Sequence, residues 1–132
     1  MSDEQPLSEF LVLSRGRWDA DKSPEQIQEV IEAFYAWHEG LVKAGKAKPG
    51  QRLAVERKFV SKWGITDGPF SESKEVIGGY WFFFARNLEE AVALAAQNPT
   101  IACGLSFEVG PIERQRANAY TPANETPRKL NK

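Results

Sequence analysis

Residues 66–84, TDGPFSESKEVIGGYWFFF, decide how the rest of the chain is read. A polar, glycine-broken loop runs here into the most apolar segment of the sequence. Pro69 fixes its own φ and biases Gly68 toward an extended conformation, while the Asp67 carboxylate can accept from backbone amides ahead of it. Ile77 to Ala85 then reads as a central strand. Tyr80, Phe82 and Phe84 point one way and Trp81 and Phe83 the other, so neither face is polar.

Working outward, residues 1–7 read as a flexible arm and Phe10 to Arg15 as a first strand, apolar on both faces and closed by Gly16. Ser23-Pro24-Glu25-Gln26 is a helix start, with Ser23 as cap, Pro24 at the first helical position and Gln26 completing a capping box. Ile27, Val30, Ile31, Phe34, His38, Leu41 and Val42 recur at helical spacing up to a stop at Gly45. A Lys-rich turn is expected through Pro49-Gly50, then a hairpin between Leu53 and Trp63 that turns at Lys62-Trp63-Gly64. Asn87 caps a second helix with the stripe Leu88, Ala91, Val92, Ala95, which ends at Asn98-Pro99. Gly104 to Val109 is the last strand, and residues 113–132 read as a polar, mobile tail.

The order strand, helix, hairpin, strand, helix, strand implies an α+β domain over residues 8–112 of the ferredoxin-like, split βαβ kind, with both helices on one face of an antiparallel sheet. The sheet's other face would then carry large apolar side chains that a monomer leaves in water. A second copy packed sheet to sheet removes them, so a homodimer is expected.

Composition bounds the function. At 132 residues the chain is one domain, and 17 basic against 18 acidic residues give no electrostatic footprint for nucleic acid. No apolar run reaches the roughly 20 residues that span a bilayer, and the acidic start Met-Ser-Asp-Glu-Gln has no signal-peptide features, which together predict a cytoplasmic protein. One cysteine, Cys103, and one histidine, His38, leave no preformed metal site and imply no metal or cofactor.

The candidate chemistry rests on few residues. His38 is either a half-buried histidine with a backbone partner or a base facing a cavity between helix and sheet. Asp67 either holds its own turn or projects a carboxylate into the same cavity, and the two are the candidate catalytic pair. Arg15, at the end of the first strand, could hold an anionic ligand or lie on the surface. Trp63, Tyr80 and Trp81 suit either an aromatic pocket wall or the core, and Glu72, Lys74 and Glu75 either a binding loop or a solvated one. Gly78-Gly79 lacks a following helix N-terminus and matches no phosphate loop. Cys103, with no basic neighbour, reads as an inert buried thiol.

Thr66-Asp67-Gly68-Pro69-Phe70, followed by Ser71, Glu72, Lys74-Glu75 and Ile77-Gly78-Gly79-Tyr80, resembles the signature of the DGPF group of the YCII-related family. The resemblance runs from about Phe10 to Val109 and adds Phe70 to the candidate ligand-binding residues. It implies a dimeric α/β barrel and, in some members, a helix histidine paired with an aspartate for acid–base chemistry. The register set on Gly45 puts that histidine near Phe34, one helical turn before His38. Two functions follow as expectations. One is small-molecule binding with cofactor-independent proton transfer of the isomerase or lyase kind. The other is a non-catalytic interaction or regulatory module, since relatives are often encoded beside or fused to sigma-factor-like proteins.

Overall fold

The computed structural model describes residues 6–67 and 76–127. Strand β1 (Ser8–Arg15) leads into helix α1 (Pro24–Lys43), followed by β2 (Ala47–Arg52), β3 (Lys58–Ser61) and β4 (Gly64–Asp67). Then come β5 (Ile77–Ala85), α2 (Leu88–Ala95), a 3-10 turn (Pro99–Cys103) and β6 (Ser106–Pro111). Four strands form an antiparallel sheet in the order β2-β5-β1-β6, while β3 and β4 form a separate two-stranded hairpin.

The capping signals act as their chemistry requires. Ser23 Oγ accepts from Gln26 N at 3.1 Å and the Gln26 side chain accepts from Ser23 N at 2.8 Å, closing the capping box of α1. Asn87 Oδ1 accepts from Glu90 N at 2.8 Å, but the Glu90 carboxylate turns to the Arg86 backbone and guanidinium instead of completing a box. Both helices lie on one face of the sheet. Val12, Ala47, Phe83 and Ala95 make one buried cluster, and Phe10, Ala85 and Ala91 a second. Leu88 and Val92, expected in the α2 stripe, are exposed, so only Ala91 and Ala95 of that helix are buried.

The α+β class with an antiparallel sheet and two helices stands, but the dimeric α/β barrel does not. Among the described residues the sheet is open, with β2 and β6 as its edges, and no sheet closes into a barrel. The local differences have plain causes. The turn expected through Pro49-Gly50 is instead part of edge strand β2, which tolerates Pro49 because an edge residue needs no second ladder partner. The register of β2 on β5 shifts between Lys48 and Gln51, which places Pro49-Gly50 in the irregularity. Asp67 ends strand β4 opposite Lys58 instead of lying in a loop. The turn at Lys62-Trp63 is where the sequence puts it. Beyond β6 the described tail is exposed and runs through turns. No helix among the described residues is long and apolar enough to cross a membrane.

Gly50 tests how tightly β2 lies on β5. A Cβ there would fall within the carbonyl group of Tyr80, whereas a Cβ on Gly40 in α1 would meet nothing within 4 Å. Gly50→Ala should therefore cost about 1–3 kcal/mol through overpacking, while Gly40→Ala should gain about 0.5–1 kcal/mol of helix propensity. Urea unfolding of the two variants checks the pair. Equal effects would contradict the close approach.

Candidate functional site

The site begins with the ring contacts of α1 on β5. Phe34 stacks on His38 one turn later, with centroids 5.6 Å apart and planes at 21°, and meets Trp81 edge-on at 5.3 Å. Trp81 can lie back along its own strand because position 79 is glycine. A Cβ on Gly79 would sit 2.9 Å from the Trp81 ring and 2.9 Å from the Gln51 carbonyl oxygen. Gly79 thus serves close packing.

Between these rings and edge strand β2 lies an open cleft of about 390 Å³. Phe34, His38 and Trp81 line it together with Pro49 and Gly50 of β2, and Tyr35, Glu39, Val42 and Lys43 of α1 complete its walls. His38 retains 7 % of its surface exposure. Its Nε2 is closed to water and has no hydrogen-bond partner, a state shared by Trp37 Nε1. Burial lowers the His38 pKa below the ordinary 6.5, against a smaller opposing pull from the Glu39 carboxylate. The imidazole is therefore neutral at pH 7, with one nitrogen available as an acceptor.

The other candidates are dispersed. Arg15 pairs with Glu108 at 2.5 Å on the neighbouring strand β6. Trp63, at the tip of the β3–β4 hairpin, is 84 % exposed beneath the Lys62 ammonium. Tyr80 packs edge-on to Phe82 at 5.8 Å, and strand alternation puts it on the face opposite Trp81. The Asp67 backbone pairs with Lys58 in the hairpin. Phe70, Glu72 and Lys74 lie outside the described residues. Cys103 is buried, with its Sγ 4.0 Å from the Gln26 carbonyl oxygen. Of the two expected catalytic residues, His38 lines the cleft.

The sequence reading left out Tyr35, Glu39 and Lys43, which line the same side of α1 as Val42. Their i, i+4 spacing was visible, but only the path of β2 turns that helix flank into a wall. No group of three or more potential metal ligands occurs among the described residues.

An imidazole whose pKa falls on folding binds fewer protons in the native than in the unfolded chain between the two values. Its share of stability is complete above the ordinary 6.5 and is lost as pH falls from there toward the folded value. Because His38 is the sole histidine, its ring resonances can be titrated by NMR without assignment ambiguity. They should report a midpoint below 6.5, and His38→Gln should flatten the loss of stability on acidification through that window. A midpoint at or above 6.5 would contradict the buried, unpaired imidazole.

Comparison with known proteins places the chain. A solved 5-chloro-2-hydroxyhydroquinone dehydrochlorinase of Burkholderia phenoliruptrix, in complex with 2,5-dihydroxybenzoquinone, is 19 % identical, with a TM-score of 0.43 over 86 % of this chain and 99 % of that one. A likeness this loose carries no argument about ligand or reaction. An uncharacterized protein of Rhizobium meliloti is 31 % identical over 100 residues, covering 68 % of this chain and 78 % of its own. The YCII-related domain matches residues 9–114, from the second residue of β1 through β6 and including both helices. The chain belongs to the YCII-related domain family.

Proposed function

We propose that the α1–β2 cleft binds a small, largely apolar organic molecule and that His38 exchanges a proton with it, without a cofactor, in the manner of an isomerase or lyase. The observation that carries this reading is the unpartnered Nε2 of a buried, neutral histidine lining an aromatic-walled cleft. A buried polar nitrogen left unpaired costs about 1–3 kcal/mol, a cost that chains retain where function requires the group. Nε2 is closed in the free chain, so access requires the imidazole to turn or the Phe34 stack to open, which couples proton transfer to ligand entry. Glu39 is a carboxylate that lines the cleft, and Asp67 enters this proposal through its motif.

We also propose that the chain forms a homodimer through the sheet face opposite the helices. Leu11, Leu13, Tyr80, Phe82 and Phe84 are half-buried there, with no helix over them among the described residues. Burying a large apolar side chain fully gives about 1.5–3 kcal/mol, ample incentive for a second copy. The alternative function, a non-catalytic module working beside sigma-factor-like proteins, is favoured by the closure of the same Nε2.

A screen of small aromatic and enolisable compounds by Trp fluorescence and imidazole NMR tests the first reading. His38→Phe should leave stability equal or raised, because it replaces an unpaired polar ring by an apolar one, while abolishing proton exchange with any bound compound. No binding from a broad screen, with an imidazole signal unmoved throughout, would overturn the small-molecule reading and favour the interaction module. For the dimer, light scattering should give twice the chain mass for the native protein and a monomer for Phe82→Glu.

A further inference from the structure

Helix α1 gives the cleft two rails. Phe34, His38 and Val42 recur every four residues, while Tyr35, Glu39 and Lys43 repeat the same spacing one residue further on. Each step along a rail is about 6 Å of helix rise. A phenol hydroxyl, a carboxylate and an ammonium thus stand in line beside the aromatic wall of Phe34 and Trp81. From the sheet, β2 and β5 contribute Pro49, Gly50 and Trp81, none of which titrates. The charges of the described walls are therefore those of Glu39 and Lys43, beside a neutral His38.

Glu39 and Lys43 are spaced to pair with each other and do not. Glu at i with Lys at i+4 is the orientation that favours an ion pair on a helix. Among the described residues none closes between them, and neither head group has another ionic partner. Both side chains are exposed where they border the cleft. The pull of the Glu39 carboxylate is felt instead at the His38 imidazole, which leaves the Lys43 ammonium, one turn further on, for the occupant of the cleft.

The geometry points to a ligand that bears a carboxylate: a small aryl carbonyl acid, held by its carboxylate on Lys43, with its acidic carbon at His38 and Glu39 facing the imidazole. This rests on the proton-transfer reading above and adds the substrate class. His38 Nε2 takes a proton from the carbon between ring and carbonyl. The C–H electron pair moves onto the carbonyl oxygen as an enolate, and the proton forms the new N–H bond. Glu39 then offsets the imidazolium, and Lys43 offsets the added negative charge on the ligand. Returning the proton to oxygen gives the enol and restores the neutral imidazole, so the step needs no redox partner. An organic cation fits less well, because it would face Lys43 and then the imidazolium as well.

A matched pair of probes tests the proposal. Phenylpyruvate and phenylacetone differ by a carboxylate against a methyl group, and both are titrated by calorimetry into the native chain, Lys43→Met and Lys22→Met. Lys22, roughly 30 Å away at the other end of α1, controls for overall charge. Lys43 is exposed and Met is a good helix former, so the fold is retained. The native chain and Lys22→Met should bind phenylpyruvate roughly tenfold more tightly than phenylacetone. Lys43→Met should bind the two alike, with its affinity for phenylacetone unchanged. Benzylic deuterium exchange of bound phenylpyruvate, followed by NMR above the buffer rate, should be lost in His38→Phe. Glu39→Gln should move the His38 midpoint further below 6.5, since the opposing pull is gone. A preference for phenylpyruvate that survives in Lys43→Met would overturn the assignment of Lys43, and an unmoved midpoint would overturn that of Glu39. Equal binding of both probes by the native chain, with exchange still dependent on His38, would overturn the carboxylate class and leave the proton-transfer reading standing. Binding of neither at millimolar concentration would overturn both.

Discussion

Strand β5 is the constraint on which the remaining structure depends. It pairs with β1 on one side and β2 on the other, so its backbone polar groups are satisfied by the sheet while both of its faces carry aromatic rings. That arrangement requires close approach at two glycines. Gly50 lets β2 meet the Tyr80 carbonyl, and Gly79 lets the Trp81 ring fold back over the strand. With Trp81 so placed, Phe34 has an edge to pack against, and Phe34 in turn holds His38 by stacking. The cleft beside His38 is thus a consequence of strand packing.

Two faces of one strand give two kinds of surface. On the helix side, Phe83 sits in a core with Val12, Ala47 and Ala95, and Trp37 packs on it edge-on at 6.1 Å. There desolvation is complete enough to leave Trp37 Nε1 and His38 Nε2 unpaired and to hold the imidazole neutral. On the other side, Leu11 and Leu13 of β1 stand opposite Phe82 and Tyr80, half-covered by their neighbours. Charge is kept to the margins of that face, where Glu9 pairs with Lys48 and Arg15 with Glu108. An apolar centre with a paired, charged rim is the anatomy of a protein interface.

Much of the fold was legible because its signals are local. The Ser23 capping box, Asn87, the turn at Lys62-Trp63 and the alternation of β5 each depend on a few adjacent residues, and each forms as read. Strand β2 was not legible, because Pro49-Gly50 reads as punctuation and only the neighbouring β5 makes it an edge strand. The closed barrel came from resemblance, and the open edges at β2 and β6 do not show it. For the site, helical spacing pointed to His38, but its partners come from across the sheet. Tyr80 and Trp81 could have been separated from sequence alone, since neighbours on a strand face opposite ways and cannot both wall one cleft. Glu39 and Lys43 became wall residues only once β2 was laid beside α1.

The most direct test of β5 as the organising strand is amide hydrogen exchange on dilute chain, below the concentration at which copies associate. Amides of Tyr80 to Phe84 should be among the slowest in the molecule and exchange only through global unfolding, while those of the β3–β4 hairpin exchange by local opening. Exchange in β5 as fast as in the hairpin would show that the sheet does not depend on this strand, and the account of the cleft built on it would fall.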